Sequence, residues 1–149
     1  MNLFDQISND IKEAMKARDK VRLEALRNVK KYFLEAKTAP GAADELADDA
    51  ALKIIQKLVK QGKDSATLYT EQGRADLAEA ELAQVAAIEV YLPKQMTEEE
   101  LTAALQSIIA ETGAAGPKDM GRVMGIATKQ LAGRAEGRAV SAKVKELLG

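Results

Sequence analysis

The chain contains no cysteine, no histidine and no tryptophan. The lack of cysteine excludes disulfides and thiolate nucleophiles and suits a reducing compartment. The lack of histidine removes the commonest general base near neutral pH and the commonest metal ligand. Aromatic rings are scarce: Phe4, Tyr32, Phe33, Tyr69 and Tyr91 are the only five, and none follows position 91. The last third of the chain therefore has no ring on which a nucleic-acid base could stack. No apolar run approaches the ~20 residues of a bilayer span. The start, Met1-Asn2-Leu3-Phe4-Asp5, lacks the basic and apolar regions of a secretory signal. A cytoplasmic protein without membrane contact is expected.

What is present points to a soluble globular chain. Of 149 residues, 46% are hydrophobic and 30% charged, a balance that supports a core. The net charge of −1 means that any attraction for polyanions must be local. Helical spacing dominates. Leu3, Ile7, Ile11 and Met15 form one stripe, with Asn2 or Asp5 near its start, and Val21, Ala25, Val29 and Tyr32/Phe33 form a second. Thr38 to Ala42 reads as a loop. A long helix is expected from about Asp44 to Gly73, with Asp44, Glu45, Asp48 and Asp49 crowding its first turns, where negative charge suits the helix dipole. Its wide apolar face holds Leu52, Ile55, Val59, Ala66 and Tyr69 beside Ile54, Leu58 and Leu68. Arg74 to Leu92 follows as a helix with Leu77, Leu82, Val85, Ile88 and Leu92 inward.

Pro93 then stops the chain, since it lacks an N–H and disfavours helical geometry at Leu92. Four residues later Thr97 and Glu100 have the spacing of a capping box, and Met96 and Leu101 that of a hydrophobic staple. The expected organisation is an N-terminal bundle of about four helices over 1–92 and a three-helix domain over 93–149, all-α throughout. In the second part, Leu101 to about Thr112 is one helix. Pro117 opens the next, with Met120, Val123/Met124, Ala127 and Leu131 inward and Gly133 at its end. Val140, Val144 and Leu147/Leu148 mark the last, capped by the preceding loop or by Ser141.

Charge is unevenly spread. Residues 94–112 carry one base and four acids, whereas 113–145 carry seven bases and two acids. A second basic stretch, 18–37, has seven bases and three acids. Such runs serve either as solvated, self-paired helix faces or as phosphate contacts. The candidate phosphate ligands of the tail are Lys118, Arg122, Lys129, Arg134, Arg138 and Lys143. With no ring nearby, they would grip backbone and shape rather than read bases. Gly121 and Gly125 stand one turn apart inside a helix, at up to ~1 kcal/mol each relative to alanine. That pattern predicts close approach, either by another helix or by an RNA backbone. No catalytic residue emerges: there is no Walker loop, no strand for a dinucleotide turn, and no serine with an evident base. Asp48-Asp49 and Glu98-Glu99-Glu100 sit at helix starts, which accounts for them without a metal, and no cofactor is expected.

The segments "VRLEALRNVK" (21–30), "EQGRADLAEAELAQ" (71–84), "EVYLPKQMTEEEL" (89–101), "KDMGRVMG" (118–125) and "GRAEGRAVSAKVKELL" (133–148) resemble the YqeY family, in order and over nearly the whole chain. The tail from about 93 is similar to the C-terminal domain of the B subunit of the tRNA-dependent amidotransferase. The resemblance implies a helical bundle with a helical tail that helps hold tRNA, and it places Lys118, Arg122, Arg134 and Arg138 in the matching motifs. It also implies tRNA, or an amidotransferase or synthetase subunit, as partner. Three readings stay open: a non-catalytic tRNA-binding accessory, a component of glutamine-dependent amide transfer on charged tRNA, and a protein-interaction module. Two positions depart from the family pattern. Gly62 stands where relatives commonly carry arginine, and Glu136 replaces an aspartate in the turn before the last helix.

Overall fold

The computed structural model describes residues 2–42 and 45–149. Seven α-helices account for the architecture, and there is no strand among the described residues. Contacts gather the chain into two compact units, Met1–Leu92 and Pro93–Gly149, each with its own hydrophobic core. No helix among the described residues is long and apolar enough to cross a membrane.

The first unit holds α1 (Leu3–Ala17), α2 (Lys20–Thr38), α3 (Asp48–Glu71) and α4 (Ala75–Glu89). Asn2 caps α1 by accepting the Asp5 N–H at 2.8 Å, and Asp19 caps α2 by accepting the Arg22 N–H at 3.1 Å. Between them Arg18 adopts φ 56°, and its own and Asp19's N–H groups close back on the carbonyls of Met15 and Ala14. The core is built on Ile7, Leu26, Val29, Phe33 and Ile55, all fully buried. Each such side chain contributes about 1.5–3 kcal/mol of transfer free energy.

Several expected stripes rotate out of the core. Met15, Val21, Leu68 and Leu82 are 53%, 46%, 56% and 47% exposed. A strict four-residue step advances ~40° per step around a helix, so Met15 lies ~120° from Leu3, while Ala14 stays in line and is buried. In α4 the inward positions are Ala78, Val85 and Ile88, with Leu82 on the outside. The third helix also starts later than its acidic run suggests. Asp48 and Asp49 do occupy its first turn, but Glu45 lies in a bend, and Asp44 falls outside the described residues. Asp48 Oδ1 instead accepts the Leu3 N–H at 2.8 Å and so serves the start of α1, while Leu46 enters the core ahead of the helix.

At Gly62 the backbone of α3 packs directly on α4. A Cβ there would collide with Val85 Cγ2, and Gly62 is buried. An arginine at this position, expected from the family pattern, has no room in this chain.

Candidate nucleic-acid interface

The second unit contains α5 (Glu98–Thr112), a short 3₁₀ turn (Pro117–Asp119), α6 (Met120–Gln130) and α7 (Gly137–Leu148). Leu105, Val123, Ala127 and Val144 are fully buried at its centre. The capping box is complete: Glu100 N–H donates to Thr97 Oγ1 and Thr97 N–H donates to Glu100 Oε1, both at 3.1 Å. The Thr97 N–H first, and then the Thr97 hydroxyl, hold the Glu100 carboxyl below its usual titration range. Met96 packs on the same core as Leu101, as the staple spacing predicts. Two further bonds pin this corner to the turn before α7. Met96 N–H donates to the Arg134 carbonyl at 2.9 Å, and the Gln95 amide donates to the Gly133 carbonyl at 2.6 Å. Gly133 provides the left-handed turn there, with φ 75°.

Pro117 opens the 3₁₀ turn rather than α6 itself. Asp119 organises this entry: its Oδ2 accepts the Ala115 N–H at 2.9 Å, and its Oδ1 lies 3.4 Å from Arg122 Nη2. The Ala115 hydrogen bond, aided by the Arg122 charge, lowers the Asp119 carboxyl's pKa. In α6, Val123 and Ala127 turn inward, while Gly121, Arg122, Gly125 and Lys129 face outward and are exposed. A Cβ added to Gly121 or Gly125 would meet nothing within 4 Å among the described residues, so no helix of this unit packs there. The two glycines instead floor a shallow open depression, lined also by Arg122, Ile126, Lys129 and Gln130. Arg122 and Lys129 are seven residues apart, ~10 Å along the helix axis.

The six candidate phosphate ligands stand in different local settings. Arg122 and Lys129 share the α6 depression. Lys118 is exposed on the 3₁₀ turn and Arg138 in the first turn of α7, and neither forms an ion pair among the described residues. Lys143 is a strut: its Nζ lies 3.2 Å from Glu98 Oε1 and 3.3 Å from Glu146 Oε2, and its side chain is only 13% exposed. Those two carboxylates raise its pKa. Arg134 and Lys143 line a second depression that includes Glu98, Glu136 and Glu146, which offsets their charge. Glu136 is the N-cap residue of α7 without a side-chain capping bond, and Ser141, expected as a possible cap, lies inside that helix.

Reasoning from sequence missed Ile126, Gln130 and the organising role of Asp119. The first two follow Arg122 by four and eight residues, so a helical wheel places them beside it once α6 is known to be open on that side. Lys143–Glu98 could not be read locally, because its partners are 45 residues apart.

The chain matches the family described as Yqey-like protein over residues 4–148. It belongs to the YqeY family. A curated relative from Pyrenophora tritici-repentis (strain Pt-1C-BFP), "Altered inheritance of mitochondria protein 41, mitochondrial", is 30% identical over 99% of this chain and 81% of its own length. In this YqeY-family chain the "KDMGRVMG" segment becomes the 3₁₀ turn and the open face of α6, and "GRAEGRAV" becomes the pinned turn and the start of α7.

Proposed function

We propose that the unit Pro93–Gly149 is a non-catalytic docking module for folded RNA, tRNA foremost, and that it binds through the ribose-phosphate backbone. The observation that carries this reading is the glycine floor of α6. Two exposed glycines cost helix stability, and no described residue of this unit occupies the space they leave. Arg122 and Lys129 flank that space. A polyanionic strand is the ligand for which close backbone approach between two cations is useful. The unit has no aromatic ring, which favours recognition of shape over bases. The likeness of the tail to the amidotransferase B subunit supports tRNA among folded RNAs. Activity in amide transfer would require the chemistry of a partner subunit, since this chain supplies no histidine or cysteine.

The test is binding of the full chain to bulk tRNA across a salt series. With about four phosphates engaged, log affinity falls with a slope of about −3 against log salt. Arg122→Ala with Lys129→Ala is expected to weaken binding at least tenfold, whereas Lys143→Ala leaves it within about twofold. Gly121→Leu fills the depression without a clash in the fold and is expected to weaken binding as well. No binding at low salt, or an unchanged affinity in the Arg122/Lys129 double variant, rejects the reading.

A further inference from the structure

The two cations beside the glycine floor of α6 are held differently. Lys129 is exposed and forms no ion pair among the described residues. Arg122 has a neighbour. Asp119 precedes it by three residues, so the two side chains lie on one side of the entry to α6. Asp119 Oδ1 is 3.4 Å from Arg122 Nη2, at the outer edge of hydrogen-bond reach. The carboxylate is the fixed member of this pair. Its other oxygen, Oδ2, accepts the Ala115 N–H at 2.9 Å and so ties it to the loop before the 3₁₀ turn. The Asp119 side chain is 23% exposed, against 55% for Arg122. The Ala115 bond, aided by the Arg122 charge, lowers its pKa, so Asp119 stays ionised throughout the neutral range.

An acid beside a phosphate-binding arginine has two opposite effects. Its charge repels a polyanion, but salt damps that repulsion, since the screening length is about 8 Å at 0.15 M. Its hold on the arginine restricts a long side chain, and ordering such a side chain on binding costs roughly two- to tenfold in affinity. Salt leaves this second effect largely in place. The hold does not block the ligand, because a guanidinium has five N–H donors and Asp119 engages a single nitrogen. We propose that Asp119 is a positioning residue of the RNA site. It keeps the Arg122 guanidinium at the edge of the Gly121–Gly125 depression, set for a phosphate, and so strengthens binding in spite of its own negative charge. This role rests on the docking of a phosphate backbone at α6.

The test is a double-mutant cycle on the full chain, with bulk tRNA as the probe at about 0.15 M salt. Asp119→Asn removes the charge and keeps an oxygen for the Ala115 N–H. Asp119→Ser does the same with a shorter side chain and serves as the second variant. Each is expected to weaken binding roughly two- to tenfold in the parent chain. Neither is expected to weaken it when Arg122 is already alanine, because the guanidinium through which Asp119 acts is then gone. Equal or tighter binding by both variants would overturn the assignment, since the carboxylate would act as a repulsive charge alone. A loss that persisted in the Arg122→Ala background would also overturn it, because the effect would then run through the loop. Failure of the docking itself shows elsewhere: the parent chain would not bind tRNA at low salt, and the role of Asp119 would fall with it.

Discussion

Two helices of this molecule carry internal glycine, and they use it in opposite ways. In α3, Gly62 is buried and the space its missing side chain leaves is filled by Val85 of the neighbouring helix. In α6, Gly121 and Gly125 are exposed and the corresponding space is empty. The local energetic cost is the same kind in both cases, a backbone entropy penalty and a lost side chain. In α3, packing within the chain offsets it. In α6 no described residue of its own unit does, and the docking proposed above would supply the compensation. Glycine in a helix predicts close approach, but only the fold tells whether the approaching group belongs to the same molecule.

The sharpest way to break this contrast is to add side chains at both places. Gly62→Leu forces α3 and α4 apart or distorts Val85, and overpacking of this kind costs about 3 kcal/mol. Chemical denaturation is expected to show that loss, and a stability within about 0.5 kcal/mol of the parent would mean that the contact is not tight. Gly121→Ala with Gly125→Ala has the opposite sign. Each alanine regains up to about 0.8 kcal/mol of helix propensity and meets no obstacle, so the double variant is expected to be more stable by about 1.5 kcal/mol. The same variant is expected to bind tRNA less well. A variant both more stable and equally good at binding would remove the reason for glycine in α6.

How much of this was legible beforehand depends on the range of the interactions involved. The capping box at Thr97 and Glu100 and the all-helical class were readable because each rests on residues within one or two turns of one another, whereas Gly133, expected at the end of α6, lies in the turn beyond its C-cap Leu131. The alternatives for Gly121 and Gly125 were readable too, but choosing between them required knowing which face of α6 the core takes. Long-range facts were not available. Asp48 was legible as part of an acidic helix start, but its carboxylate spans 45 residues to cap α1. Lys143 was read as a candidate phosphate ligand, and its ion pairs with Glu98 and Glu146 could not be seen from its neighbours in sequence. The outward turn of Met15 was computable in principle, because four-residue steps drift around the helix and the buried partner in line with Leu3 is Ala14.

The contrast extends to how the neighbouring ends of the two units are fixed. The second begins with a local, exposed device, and the hydroxyl of Thr97 is its centre. Thr97→Ala is expected to cost about 1 kcal/mol, measured by thermal unfolding followed through the second unit's amide resonances. The device is also acid-sensitive. Because Glu100 titrates lower in the folded chain than in the unfolded one, its contribution is full above the unfolded carboxylate range. It is lost as pH falls through the depressed folded value. The parent's stability should therefore drop faster on acidification than that of Thr97→Ala with Glu100→Gln, and parallel curves would show that the box contributes nothing.

The first unit ends on a long-range anchor instead. Tyr91 Oη donates to Asp10 Oδ2 at 2.5 Å across 81 residues, and Arg22 Nη2 stands 3.9 Å from the same carboxylate oxygen. Burial, then the bond to Asp10, pushes the phenol up to about 12 from its usual 10.0. The folded chain therefore keeps the proton after the unfolded chain has begun to lose it. The stabilisation is complete below pH 10.0 and declines as pH rises through the interval to about 12, the reverse of the acid dependence at Glu100. Tyr91→Phe keeps the ring and removes the donor. Since the side chain is half-exposed and solvent screens the pair, the loss at neutral pH is expected to be small, about 0.5 kcal/mol. The difference between parent and variant should then shrink above pH 10.0 as tyrosinate forms in the unfolded parent. A difference that stayed constant to pH 12 would show that folding leaves the phenol's titration unshifted, and no difference at any pH would show that the anchor acts through ring packing alone.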